Sequence, residues 1–140
     1  MTIKTTTHLN FRGEAQAALE FYQSVFGGQI ALVTYAQLGA VEQPGQEQQI
    51  IWGQVESPEG FHIMAYDVRP SQDYAAGVNP VFVSVRGETA DEIQGYWDRL
   101  ADGAAVIQPI GPSGWSPLYG MLKDRFGVTW VIDVAVAHGG

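Results

Sequence analysis

Along the chain, apolar and polar positions alternate in short runs, and twice they give way to segments with apolar residues every three or four positions. Thr5 to Phe11 reads as extended, with Leu9 and Phe11 on one side and His8 and Asn10 on the other. From Glu14 the spacing turns helical. Ala15, Ala18, Leu19, Tyr22, Val25 and Phe26 line one face, and Gly27-Gly28 supplies a left-handed stop. Extended runs follow at Ile30 to Ala36, Gln48 to Val55 and Phe61 to Asp67, separated by the turn formers QPGQE and SPEG. The polar stretch RPSQDYAAGVNP then reads as a connector. Val81 to Val85 is extended again, and Thr89-Ala90-Asp91-Glu92 has the form of a capping box. Ile93, Tyr96, Trp97 and Leu100 continue at helical spacing up to Asp102-Gly103. Ala105 to Pro109, Tyr119 to Lys123 and Val128 to Val134 complete the series as strands.

The order β-α-β-β-β is therefore written twice. Leu19 and Ile93, Tyr22 and Tyr96, and Phe26 and Leu100 are each 74 residues apart. The pattern predicts one α+β domain of two paired βαβββ modules. Module one covers about residues 1–68, a connector about 69–79, and module two about 80–137. Each module lays one helix on one face of its sheet and leaves the other face to be covered by something else.

Charge narrows the partners. Fifteen acidic against seven basic residues give a net charge of −8, and no basic cluster offsets it, so nucleic acid is not an expected partner. No run approaches the roughly 20 apolar residues of a membrane span. The opening MTIKTTTHLNF lacks the apolar core of a secretory signal, so a cytoplasmic location is expected. The chain has no cysteine, which excludes disulfides, thiolate metal sites and a cysteine nucleophile. Neither a G-x-S-x-G elbow nor a P-loop is present.

Two segments carry a family likeness. THLNFRGEAQAALEFYQSVFGG, Thr7 to Gly28, together with WSPLYGMLKDRFGVTWVIDV, Trp115 to Val134, resembles the PhnB-like branch of the vicinal oxygen chelate superfamily. Glyoxalase I, extradiol dioxygenases, and the fosfomycin and bleomycin resistance proteins belong to the same superfamily. The resemblance implies paired βαβββ modules in a curved mixed sheet with a concave ligand cavity, and a homodimer. Similar sequences have carried a demethylubiquinone methyltransferase label. This chain lacks the G-x-G-type loop after its first strand that would approach a nucleotide-like methyl donor.

Catalytic members of the superfamily hold a divalent metal through His, Glu or Gln on four strands. Carried over, the first position falls on Thr7 or, with a one-residue slip, on Thr6 or His8. The second falls on Met64, with His62 nearby, the third on Asn79 or Pro80, and the fourth on Val131. At most two imidazoles remain and no carboxylate, a poor donor set for a metal catalyst, so no metal or other cofactor is expected. The leading expectation is a metal-free protein that binds, and in one form sequesters, a hydrophobic or planar small molecule. The competing class is a metal-dependent lyase, isomerase or dioxygenase. A third is a metal-free enzyme with His8 or His62 as general base.

The residues expected to touch a ligand are His8, Asn10, His62, Met64, Trp115 and Tyr119. His8 and Asn10 fall opposite the apolar side of their strand, and His62 and Met64 share one face with Tyr66. Trp115 lies in the Gly/Pro-rich GPSGWSP, where loops at a cavity mouth supply lids. Trp130, in phase with Val128, Ile132 and Val134, reads as core, and Trp52 lies on a sheet strand. Asp133, near the end of the last strand, reads as solvated. His138 sits in a glycine-rich tail with no assigned role.

Overall fold

In the computed structural model, which describes residues 3–135, each half of the chain closes a four-stranded mixed sheet of its own. Module one comprises β1 (Thr7–Phe11), α1 (Ala15–Phe26), β2 (Gln29–Thr34), a 3-10 turn (Ala36–Leu38), β3 (Ile50–Glu56) and β4 (His62–Asp67). Its strand order is β1-β4-β3-β2, with β1 and β4 parallel and the other pairs antiparallel. Module two comprises β5 (Phe82–Gly87), α2 (Ala90–Leu100), β6 (Ala105–Gly111), β7 (Tyr119–Lys123) and β8 (Thr129–Val134). Its order, β5-β8-β7-β6, repeats the same pairing, again with one parallel pair. The α+β class and the doubled βαβββ module agree with the periodicity. Residue contacts divide the chain after Gly77. His138 lies outside the described residues.

The helical stripe forms as its spacing requires. Ala15, Ala18, Leu19, Tyr22, Val25 and Phe26 are all buried, and α1 packs across β2, β3 and β4. Leu9, Phe11, Val55, Ile63 and Ala65 close the core from the sheet side. Each fully buried large side chain removes enough apolar surface from water to contribute about 1.5–3 kcal/mol. In module two Ile93, Trp97 and Leu100 of α2 do the same against β5 and β8. Two glycines permit close approaches, one between neighbouring segments of the module-one sheet and one between sheet and helix in module two. Gly28 has φ +98 and a Cβ there would collide with the backbone of Glu56. A Cβ on Gly120 would stand 2.7 Å from the Trp97 ring.

Helix starts differ between the modules. Thr89 Oγ1 accepts from the Glu92 N–H at 3.3 Å, the cap expected of its sequence. Glu14 makes no side-chain cap for α1. That role falls to Asp67 at the end of β4, whose Oδ1 accepts from the N–H groups of Gly13 (2.6 Å) and Ala15 (3.1 Å). Its Oδ2 accepts from Ile50 N–H at 2.8 Å, so one buried carboxylate ties the starts of α1 and β3 together.

Three local expectations are corrected. The strand expected over Ile30 to Ala36 ends at Thr34, because Gln37 and Thr34 exchange side-chain-to-backbone hydrogen bonds of 2.8 and 3.1 Å and turn the chain. The fifth strand begins at Phe82, leaving Asn79, with φ 51, and Pro80 outside it. The Asn79 carboxamide instead accepts from Thr129 Oγ1 at 3.0 Å. Much of the expected connector packs on module one. Arg12 donates to the carbonyls of Val68, Arg69 and Gln72, and the Tyr74 hydroxyl donates to Asn10 O at 3.0 Å.

Candidate functional site

Strand alternation delivers two sets of side chains, because each helix covers only one face of its sheet. In module one the opposite, open face carries His8 and Asn10 from β1, His62, Met64 and Tyr66 from β4, and Gln54 from β3. Register aligns His8 with Met64, Met64 with Gln54, and Asn10 with Tyr66. His8 and Asn10 are joined through Nδ1 and Oδ1 at 3.2 Å, and the imidazole meets the Tyr66 ring edge-on at 5.0 Å. Tyr66 in turn donates its hydroxyl to Gln72 at 3.1 Å. The expected orientation of His8, Asn10, His62 and Met64 toward the open face is the one found.

His62 has the most defined surroundings. Its Nε2 lies 2.8 Å from Gln54 Oε1 and its Nδ1 lies 3.1 Å from Thr6 Oγ1. A proton on Nε2 satisfies both, since the amide oxygen can only accept while the hydroxyl can donate. Glu56 Oε2 stands 3.7 Å from the same Nδ1. Thr6, His62, Glu56 and Phe61 border a hollow of about 780 Å³ at that end of the sheet. Its lining mixes the apolar Pro58 and Phe61 with the polar Thr6, Glu56 and His62.

Module two presents a different surface. Trp115 and Tyr119 meet edge-to-face at 5.0 Å and, with Ile107, Met121 and Pro112, line a recess of about 450 Å³. The loop carrying Trp115 is fixed from below. The buried Ser116 hydroxyl lies 2.8 and 2.9 Å from the carbonyls of Leu118 and Val134, and Ser113 Oγ accepts from Ser116 N–H at 3.1 Å. Trp115 itself remains 55% exposed. The result is exposed aromatic area on a loop held by hydrogen bonds at Ser116.

The reading of Asp133 as solvated is overturned. The residue is 3% exposed and its two carboxylate oxygens accept from Arg86 Nε and an Arg86 terminal nitrogen, both at 3.2 Å. The reason is topological: β8 is an inner strand flanked by β5 and β7, so a side chain near its end is still enclosed. These hydrogen bonds, together with the carboxylate charge, raise the Arg86 pKa above its ordinary value. Arg86 is absent from the sequence-based candidates. The signal was available, since Val83 and Val85 alternate with Ser84 and Arg86 and put the guanidinium on the open face. Trp130 is fully buried, as its apolar phase predicts, and Trp52 is 38% exposed.

The donors can be tested against the metal that the resemblance implies. His8 pairs with Met64 across β1 and β4, and Ser84, not Asn79 or Pro80, pairs with Val131 across β5 and β8. The positions of module one offer a thioether and at most the imidazoles of His8 and His62, and those of module two a hydroxyl and an alkyl group. Neither set makes a site for a hard or borderline divalent cation. Among the described residues no three His, Asp or Glu side chains come together in a metal-holding group. The residues present do not fit the ion.

Comparison with known proteins supplies the context. The family model described as the Glyoxalase/Bleomycin resistance protein/Dioxygenase superfamily matches residues 6–132. Protein PA1353 from Pseudomonas aeruginosa is a similar solved structure, with 27% identity over 95% of this chain and 98% of its own, and a TM-score of 0.81. A PhnB protein from Bacillus cereus, provisionally described as a 3-demethylubiquinone-9 3-methyltransferase, is 28% identical over 95% of this chain and all of its own (100%), with a TM-score of 0.75. Hypothetical protein SA1046 from S. aureus, at 16% identity and a TM-score of 0.64 over 96% of this chain and 95% of its own, shares the fold. No curated protein matches.

Proposed function

Since the chain belongs to the glyoxalase/bleomycin resistance protein/dioxygenase superfamily, we propose that it binds a hydrophobic or planar small molecule without a metal, in the aromatic recess of module two. The edge-to-face pair of Trp115 and Tyr119 carries this reading, because it combines exposed aromatic area with a loop pinned by Ser116. The weak donors in each module, His8 with Met64 in the first and Ser84 with Val131 in the second, support the metal-free part. Methyl transfer, the provisional description of the PhnB relative, finds no counterpart here. The glycine of the short turn between β1 and α1, Gly13, donates its N–H to Asp67 and offers no cradle for a nucleotide-like donor.

The test joins two measurements. Protein purified without added metal is expected to hold far less than one equivalent of zinc, iron, manganese or nickel. Planar aromatic compounds are expected to change its tryptophan fluorescence, with Trp115→Ala weakening the best binder at least about tenfold, as for a central aromatic anchor. A stoichiometric, tightly held metal would remove the metal-free reading. Unchanged affinity in Trp115→Ala would remove the recess.

The same reading includes a cytoplasmic homodimer. Val106 and Ile107, on the edge strand β6, are about half exposed (50% and 51%), and Phe82 on the opposite edge strand is 48% exposed. At micromolar concentration, sedimentation is expected to give twice the 15.2 kDa chain mass. A species of one chain mass at that concentration would refute the dimer. Among the described residues no helix is long and apolar enough to cross a membrane.

A further inference from the structure

We propose that the ligand of the module-two recess is an aromatic carboxylate, with its ring against Trp115 and Tyr119 and its acid group on Arg86. This rests on the reading of the recess given above and adds the chemical class of the ligand.

Register carries the first part of the argument. Arg86 pairs with Asp133, and Asp133 pairs with Tyr119, so the three stand in one row across β5, β8 and β7. The row ends on β6 at Gly111, where an added Cβ would meet nothing, leaving space beside the aromatic pair. Neighbouring strands are about 4.8 Å apart, which places the Arg86 and Tyr119 backbones about 10 Å from each other. The guanidinium leans back over the middle strand to reach Asp133, which shortens that span. One flat, bicyclic acid bridges it.

The second part is the state of the guanidinium. Asp133 occupies Nε and one terminal nitrogen, fixing the plane of the group, while the Arg86 side chain remains 57% exposed. The remaining N–H groups of the planar fork point away from Asp133, and a carboxylate is the acceptor whose geometry matches them. Pre-orientation by the buried acid removes part of the entropy that an exposed arginine loses on binding.

Local charge supplies the third part. The charged side chains in open-face phase on module two's strands are Arg86, Lys123 and Asp133. Two cations less one acid leave +1 on this face, in a chain whose net charge is −8. In module one the open face carries Glu56 and no lysine or arginine on its strands. Arg86 and Asp133 balance one another in their ion pair, so the excess charge is that of Lys123, four residues along β7 from Tyr119. It favours an anion on this face over the rest of the acidic surface.

The experiment compares 2-naphthoate with 2-naphthamide by calorimetry on the full chain. The pair has the same ring and differs in the charge and hydrogen-bonding capacity of one group. Naphthoate is expected to bind about 10- to 100-fold more tightly, the range of a charge-assisted hydrogen bond. Arg86→Lys keeps a cation beside Asp133, so the fold is retained, and is expected to reduce the preference to below about threefold. Trp115→Ala is expected to weaken both compounds alike. Equal affinity for acid and amide, with Trp115→Ala still weakening both, would overturn the carboxylate while leaving the recess. A preference for the acid that survives Arg86→Lys would overturn the role of Arg86. Binding of neither compound, or binding that ignores Trp115→Ala, would overturn the recess and this inference together.

Discussion

Asp67→Ala is expected to lower the unfolding free energy by about 4 kcal/mol, among the largest single-residue losses in the protein. The carboxylate is 1% exposed and accepts three backbone N–H groups, from Gly13, Ala15 and Ile50. Two of these belong to the start of α1, where free N–H groups and the helix dipole favour a negative charge. Alanine would leave the buried donors of Ala15 and Ile50 without an acceptor, at about 1–3 kcal/mol for each group left unpaired, while the part-buried Gly13 N–H can turn to solvent. Asp67→Asn keeps one oxygen and should lose about half as much. Urea unfolding followed by circular dichroism gives both values. A loss below about 1 kcal/mol for the alanine variant would show that α1 is capped by other means.

The second large effect is expected at Trp130. Its side chain is fully buried, and its Nε1 donates to Asp124 Oδ2 at 2.8 Å. The other oxygen of Asp124 accepts from Phe126 N–H (2.8 Å) and Val128 N–H (3.0 Å), shaping the turn that leads into β8. Trp130→Ala should cost about 4–5 kcal/mol by opening a cavity and releasing Asp124. Trp130→Phe should cost about 2 kcal/mol, because the ring volume is mostly kept while the indole donor is lost. Should the phenylalanine variant match the wild-type protein in urea midpoint, the indole–carboxylate bond would have no net stabilising role, and the turn would hold without it.

Much of this architecture was legible from spacing. In β4 the order His62-Ile63-Met64-Ala65-Tyr66-Asp67 sorts cleanly by face, with Ile63 and Ala65 buried under α1 and the histidine, methionine and tyrosine opposite. The open-face placement of His8 and Asn10 followed from the same rule. In β8 the rule weakened. Thr129 and Asp133 are as buried as Trp130 and Ile132, because an inner strand is enclosed on both faces where long side chains such as Arg86 lie over it. Reading Asp133 as solvated failed for that reason. Asp67 was visible as a strand end but not as a helix cap, since its partners at Gly13 and Ala15 are 54 and 52 residues away.

The closing stretch LKDRFGVTWVIDV shows where the division falls. By itself the sequence determined the turn at Asp124-Arg125-Phe126-Gly127, the strand after it, the apolar phase of Trp130 and Ile132, and the lack of a ligating side chain at Val131. Those properties depend on neighbours a few residues away, and backbone periodicity expresses them locally. Only the tertiary structure decided that Ser84 is the register partner of Val131, that Asp133 is buried beneath Arg86, and that Tyr119 stands at the other side of that pair. Arg86 and Asp133 are 47 residues apart, and Thr6 and His62 are 56 apart. Both encounters follow from parallel pairing of a module's first and last strands. No local pattern encodes that pairing, because it is selected by how the helix and two intervening strands bury their apolar faces together.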